Sequence, residues 1–557
     1  MNPVTKNTLF YGDNLKILRE HIPAESADLI YLDPPFNSNR NYNVLFKDEG
    51  GQDSEAQITA FEDTWHWDRK AQETYHELIA DAPEHVGKMI SALRDFIGAN
   101  QVTAYLVMMT VRLIELHRVL KSAGSLYLHC DPTMSHYLKI VLDAIFHLQN
   151  FQCEIVWERS QTRSSISRNY RKAHDIILFY TKSDNYKFNM LYRSLSESSL
   201  GNYRNQDEKG RYRLVPLLVS GTRQGETGKP WKGIDPNSRG KSGMHWVTVH
   251  KKLEEYEKQG LIVFSKNGIP NLKYYLEDSP GAPLNDNWHD IQLIPSSSPE
   301  SLGYPTQKPA ALLERIINAS SNEGDTVLDP FCGCGTAIHA AEKLNRKWIG
   351  IDITHLSTSL LKYRLKDAFD LTERRDYDVI GEPEDLAGAA RLAQENRYQF
   401  QWWALSLVQA KPVGGVQKKG KDRGIDGVIN FIDDSSEKAK RIIVQVKSGK
   451  TGAKDIRDLT GTVNNENAQM GIFITLKEPT KDMKTAAAEA DFYHSSGWNK
   501  DFARIQIMTI EELMNGKTPD LPPVKRTFKQ AKRDIREQDR WKQNGMDSFE
   551  TGGGYLQ

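Results

Sequence analysis

Chemistry is concentrated first in Tyr31-Leu32-Asp33-Pro34-Pro35-Phe36, where an apolar run from Ala27 to Leu32, broken only by Asp28, stops at a carboxylate, two prolines and a ring. Proline cannot donate to a sheet ladder, so the strand ends here in a stiff, non-helical tip. Asp33 and the Pro34 carbonyl can accept the two hydrogens of an exocyclic amine and turn its lone pair outward, while Phe36 stacks on the heterocycle that carries it. Asp-Pro-Pro alone also fits a proline-terminated strand of any α/β protein, so the rest of the chain must decide.

A second stretch is Asp325-Thr326-Val327-Leu328-Asp329-Pro330-Phe331-Cys332-Gly333-Cys334-Gly335-Thr336. Here a strand runs into a glycine-rich turn that opens a helix, letting backbone approach a ligand closely and presenting amides at a helix start. The next strand, Lys347 to Ile351, ends in Asp352, where a carboxylate can hold ribose hydroxyls. Cys332 and Cys334 have one spacer and no second pair, so they read as small turn-fillers rather than zinc ligands. A third set lies far downstream: Asp426 at a strand start, with Gln445 and Lys447 two residues apart on the next strand. An acid, an amide oxygen and a lysine around one point suit a hard divalent cation and a water attacking a phosphodiester.

The elements that must position these residues alternate. Leu9-Phe10-Tyr11, a short helix to about Arg19, and Ala27 to Leu32 form a strand–helix–strand opening typical of a parallel sheet. Residues 37 to 100 read as polar and irregular, with an aromatic cluster at Phe61 to Asp68. Helices follow over Ala104 to Lys121 and Ser135 to Leu148, and strands over Ser125 to His129, Glu154 to Trp157 and Asp175 to Tyr180. The loop Glu158 to Lys172 holds five basic residues against one acid. If Glu154 to Trp157 runs parallel to its neighbours, that loop shares a sheet edge with Asp33, where DNA phosphates would pass. Residues 181 to 300 lose the α/β rhythm, and Ser220 to Trp246, rich in Gly, Pro and basic residues around Trp231 and Trp246, reads as a binding insertion.

At 557 residues, 39% apolar and 26% charged, the chain has the composition of a multidomain globular protein without an apolar run long enough to span a membrane. Four cysteines argue against a disulfide scaffold and for a cytoplasmic setting. The formal charge is zero, so a nucleic-acid surface must come from local basic patches.

The two motifs in this order make the chain resemble the amino-methylating DNA methyltransferases of the β arrangement, which use S-adenosyl-L-methionine. The resemblance covers about residues 7 to 370. It implies an α/β fold with a Rossmann-like, circularly permuted sheet formed by 1–180 and 301–375, carrying a target-recognition insertion at 181–300. It implies that Asp33, Pro34, Pro35 and Phe36 hold a base flipped out of double-stranded DNA. Asp329, Phe331, Gly333, Gly335 and Thr336 would line the methionine side of the cofactor, with Asp352 on its ribose and Asp13 near its adenine. Thr306-Gln307-Lys308-Pro309 resembles the family's flanking cofactor motif, adding Lys308. N6 of adenine is the implied acceptor, because the Asp form of the motif is more often adenine-directed in the family. N4 of cytosine is the alternative.

After an acidic linker (376–394), residues 395–515 resemble the PD-(D/E)xK nuclease fold in its Mrr-like form, a smaller restriction-endonuclease-like α/β domain. By that match Asp426 and Gln445 would ligate Mg2+ and Lys447 would activate water, whereas Gln399 and Gln401 stand where an upstream acid belongs. A fused restriction–modification enzyme is the implied whole. The alternative is a methyltransferase with an inactive DNA-binding C-terminal module. Assembly is open between a homodimer and association with a separate restriction subunit. Residues 516–557 are a charged tail with alternating Lys/Arg and Asp/Glu from Lys525 to Gln543.

Overall fold

The computed structural model describes residues 4, 6–35, 67–159, 170, 173–240, 242–295, 298–302, 304, 306–413, 424–431, 440–522 and 534. Phe36, most of the aromatic cluster (61–66), most of the basic loop (160–169, 171–172) and all of the tail except residue 534 lie outside them.

The chain opens with β1 (Thr8–Tyr11), α1 (Asn14–His21) and β2 (Ala27–Leu32). It continues through α2 (Arg69–Asp81), α3 (Glu84–Ile97), α4 (Gln101–Val119), β3 (Leu120–Cys130), α5 (Ser135–Phe146), β4 (Phe151–Glu158) and β5 (His174–Thr181). Two helices thus occupy 67–100, which the sequence reading left irregular. Each buries one narrow stripe, Ala71, Tyr75 and Leu78 on α2 and Val86, Ile90 and Leu93 on α3, so most of their residues are polar and the composition hides the period. The Asp68 carboxylate accepts the Ala71 N–H and starts α2.

After β6 (Asn287–Trp288) come α6 (Ala310–Ser320), β7 (Thr326–Asp329), α7 (Thr336–Lys343), β8 (Lys347–Asp352), α8 (His355–Phe369) and β9 (Asp378–Ile380). These strands complete a nine-stranded sheet of order β6-β4-β5-β3-β2-β7-β8-β1-β9. Only β5 is antiparallel to its neighbours, so β1, β2, β3, β4, β7 and β8 all end on one edge. The chain therefore enters the sheet at β1, one strand from its edge, builds outward from β2, and later fills the gap between β2 and β1 with β7 and β8 before β9 closes the edge. Because β4 runs parallel to β2, its end at Glu158 shares the edge with Asp33. The acidic stretch after α8 is partly structural, since β9 pairs with β1.

Residues Met190–Asn285 form a compact unit of their own. An antiparallel sheet (Ile262–Phe264, Pro270–Tyr275, Gly210–Pro216, Asn205–Asp207) covers part of it, and its core holds Leu217, Leu218, Trp231, Trp246 and Leu253. Trp231 and Trp246 meet edge to face at 5.6 Å. The tryptophans read as marks of a binding insertion are thus the unit's interior.

The C-terminal part has α9 (Leu386–Glu395), α10 (Arg397–Leu407), β10 (Lys411–Pro412), β11 (Gly427–Phe431), β12 (Lys440–Lys447), α11 (Ala453–Asn465), β13 (Met470–Thr475), α12 (Lys481–Ala488), β14 (Ile505–Thr509) and α13 (Ile510–Met514). α9 and α10 are separate helices, because the Asn396 side chain accepts from Tyr398 N and Gln399 N and begins a new one. A five-stranded sheet runs β10-β11-β12-β13-β14, antiparallel at first and parallel from β12 onward. Its core is continuous with the larger sheet's helix layer: Leu356 and Leu360 of α8 join Phe400, Trp402, Trp403 and Val444. Among the described residues no helix is long and apolar enough to cross a membrane.

Candidate active site

Strand direction brings four acidic positions to one edge. β2 delivers Asp33, β7 Asp329, β8 Asp352, and β1 is followed by Asp13. Val327 and Leu328 pair with Leu29 and Ile30, so Asp329 lies beside the last turn of backbone before the Asp33 tip. Ladder pairing of β2 with β3 stops at Leu32–Leu128, as the prolines require.

Asp33 is ion-paired with Lys308, and both side chains are largely buried. Lys308 stands just before α6, where Gln307 organises the incoming loop by accepting from Leu302 N and donating to the Glu300 carbonyl. The lysine expected on the cofactor thus reaches the Asp33 carboxylate instead. Asp329 is fully enclosed. Burial holds its carboxyl well above the usual carboxylate range, the N–H of Phe331 at 3.0 Å opposes this, and the nearby Asp33 carboxylate adds to it.

The glycine turn is pinned to the next strand. Asp352 accepts the Gly333 N–H and the Thr354 N–H and hydroxyl, each at 2.9 Å, while burial raises its carboxyl. Gly333 and Gly335 have φ of +49° and +74°, a region that L side chains enter only with strain. Phe331 is partly buried against the core on the α1 side of the sheet. Thr336 accepts at 3.1 Å from the buried Arg364 rather than facing open space. Cys332 and Cys334 are buried free thiols that burial pushes up.

Asp13 caps α1, accepting from Leu15 N and Lys16 N, and its other oxygen takes Arg112 at 3.0 Å. Arg112, on α4, also donates to Asn14, whose amide reaches the Pro330 carbonyl. That cross-brace ties β1's end to the glycine turn, and the sequence reading missed it because Arg112 sits inside an apolar helix. It also missed His355, which stacks on Tyr11 at 3.7 Å.

In the C-terminal domain Asp426 Oδ1 accepts from Gln401 Nε2 at 2.8 Å and Oδ2 from Val446 N at 2.7 Å. Gln445 is 6% exposed and its Oε1 is buried with no hydrogen-bond partner among the described residues. Lys447 follows two residues later on the same face of β12. No group of three or more His, Cys, Asp or Glu side chains placed to hold a metal exists among the described residues.

A mostly parallel sheet whose strand ends gather carboxylates around a glycine turn is a doubly wound α/β architecture with its ligand crevice at that edge. Residues 27–359 match the family described as DNA methylase (N6_N4_Mtase), and the chain belongs to that family. It is 32% identical over 351 residues to the type II methyltransferase M.EcaI of Enterobacter cloacae, across 63% of this chain and 67% of the relative. It is 28% identical to the type III restriction-modification enzyme StyLTI Mod subunit of Salmonella typhimurium, across 62% of this chain and 51% of the relative. It is 26% identical to the DNA adenine methyltransferase YhdJ of Escherichia coli, across 62% and 78%. The chain thus spans about two thirds of the first relative and half of the second. Residues 412–515 match a family described as NACHT-associated inactive Restriction Endonuclease 1.

Proposed function

We propose that the chain methylates N6 of adenine in double-stranded DNA, as the modification activity of a restriction–modification system. The observation that carries this is Asp33, held at the end of β2 beside the Asp329 and Asp352 strand ends. In this reading Asp33 and the Pro34 carbonyl accept the amine's hydrogens, and Pro35 and Phe36 complete the wall on the base. The base must leave the helix to reach a carboxylate set this deep. Lys308 steadies the Asp33 side chain through one carboxylate oxygen, leaving the other, with the Pro34 carbonyl, as the amine's two acceptors. The donor set fits S-adenosylmethionine: enclosed carboxylates at Asp329 and Asp352 match its ammonium and ribose hydroxyls, and the Gly333–Gly335 turn admits it closely. The bound cofactor supplies a sulfonium methyl, so no strong base is required and the protein's task is alignment. Phe331 and Thr336 support the turn, and Asp13 with Arg112 frames the adenine end. N6 is preferred to N4 of cytosine because the Asp form of the motif leans to adenine and one relative is named an adenine methyltransferase.

The domain assignment follows: 1–180 with 301–375 for methyl transfer, 181–300 for target choice, 376–394 as linker, 395–515 as the nuclease-like domain and 516–557 as tail. Incorporation of tritiated methyl into unmethylated plasmid DNA by the full chain, and none by Asp33→Ala, is the expected result. No incorporation by the wild type, or equal incorporation by the variant, refutes it.

For 395–515 the Gln401 amide on Asp426 supports a module that binds DNA without cutting it. The buried Gln445 oxygen, without a hydrogen-bond partner among the described residues, favours a second reading, a Mg2+-dependent endonuclease. There Asp426 and Gln445 would hold one cation, a thinner donor set than hard cations usually take, and Lys447 would steady phosphate charge. When bound, the metal supplies an activated water. Cleavage of DNA with Mg2+, abolished in Lys447→Ala, supports the second reading, and no cleavage supports the first.

A further inference from the structure

A row of buried polar side chains that the proposed chemistry leaves unused crosses the sheet beside Asp33. The Tyr31 hydroxyl lies 2.9 Å from His129 Nδ1. His129 Nε2 lies 3.3 Å from Asp175 Oδ2, and Asp175 Oδ1 3.3 Å from Arg159 Nε. Tyr31, His129 and Asp175 are 2%, 0% and 2% exposed.

The register explains the geometry. Tyr31 pairs with Tyr127, two residues before His129; His129 pairs with Ile177, two after Asp175; Asp175 pairs with Trp157, two before Arg159. Each step crosses one strand and advances two residues toward the carboxyl edge, so all four side chains issue on one face. Tyr31 and Asp33 share a face for the same reason.

Such a row is an expensive way to fill a core, since each polar group must leave water. It is also directional. Burial works against the charge on Asp175, but the His129 hydrogen bond, Arg159 and Lys308 outweigh it and hold the carboxyl below its ordinary range. Burial keeps the Tyr31 phenol protonated. With Asp175 accepting from Nε2, the other ring nitrogen, Nδ1, is left to accept from the Tyr31 hydroxyl.

What the row acts on is the tip. Among the described residues beyond Leu32 no ladder pair holds the backbone, and Pro34 and Pro35 can donate none. We propose that Tyr31, His129 and Asp175 are positioning residues for methyl transfer, a relay that fixes the end of β2 and so aims the Asp33 carboxylate, with Arg159 as its outer counter-ion. This rests on the reading of Asp33 as the amine's acceptor.

The test is single-turnover methyl transfer by the full chain with tritiated S-adenosylmethionine and unmethylated plasmid DNA. Tyr31→Phe and Asp175→Asn, which keep shape, are each expected to slow the step about 10- to 100-fold, the scale of a misaligned reacting group. Dissociation constants for cofactor and DNA should stay within about twofold, a split that loss of packing alone does not produce. The double variant should be no slower than the slower single one, because both break one relay. Added imidazole should partly restore His129→Ala. A Tyr31→Phe rate within about twofold of wild type, or losses that multiply, overturns the relay. If instead the wild type transfers no methyl or Asp33→Ala matches it, the reading of Asp33 fails, and with it the relay.

Discussion

Gly335 offers a sharp perturbation, because replacing it separates how the cofactor turn is built from what it binds. A Cβ at Gly335 would lie 2.0 Å from Leu361 Cδ1 and 3.0 Å from its Cγ, with φ at +74°. Leu361 is wholly buried on α8, so it has little room to give. Left-handed backbone costs alanine about 1–2 kcal/mol, and forcing a methyl into a filled core adds about 1–3 kcal/mol. Gly335→Ala should therefore destabilise by about 2–5 kcal/mol. At Gly333, φ is +49°, but the nearest atoms belong to the Tyr304 ring at 3.5 Å or beyond, an ordinary contact. Gly333→Ala should thus cost only the backbone part, about 1–2 kcal/mol. Thermal unfolding of both variants decides it, with Gly335→Ala melting at least about 2 °C below Gly333→Ala. Equal melting temperatures, or Gly333→Ala the less stable, would show that α8 does not set the shape of the turn.

Lys308→Met should leave the fold intact yet lower methyl transfer at least about tenfold, measured with labelled cofactor, because a polar partner of Asp33 is lost. Glu382 is held down at about 2 from its ordinary 4.5: burial opposes this, but Lys362 at 2.7 Å and His355 outweigh it. A depressed carboxyl stabilises above its unfolded value and loses that as pH falls from about 4.5 toward 2. Glu382→Gln should accordingly flatten the acid limb of a stability–pH curve, and an unchanged limb would contradict the pairing. Gln399 and Gln401 should part company. Gln399→Ala strands the His355 N–H that its oxygen accepts and should destabilise by about 1–3 kcal/mol. Gln401→Glu should instead tighten Mg2+ binding at Asp426, read by calorimetry, while leaving methyl transfer alone.

Sequence made the strand-terminal chemistry legible because a strand that stops at Asp-Pro-Pro or Asp-Pro-Phe announces its own edge. Once β1, β2, β7 and β8 were read as parallel, Asp33, Asp329 and Asp352 had to converge. Side chains whose partners are far apart in the chain were not legible. Arg112 reaches Asp13 across 99 positions and Lys308 reaches Asp33 across 275, and neither leaves a local pattern. Tyr31, His129 and Asp175 looked like strand residues because they are, and only the register lines them up. Helices α2 and α3 were hidden by their polar faces, and the core role of Trp231 and Trp246 was hidden because composition does not reveal which residues are covered.

The central claim is that Asp33 presents an amine on a DNA base to a methyl donor. Nucleoside mass spectrometry tests it most directly, after incubating unmethylated duplex DNA with the full chain and S-adenosylmethionine carrying an isotopically labelled methyl. The account predicts labelled N6-methyladenine from the wild type and none from Asp33→Ala. Label in N4-methylcytosine would correct the base while keeping the role of Asp33. No label, or label confined to a ring carbon, would contradict the account.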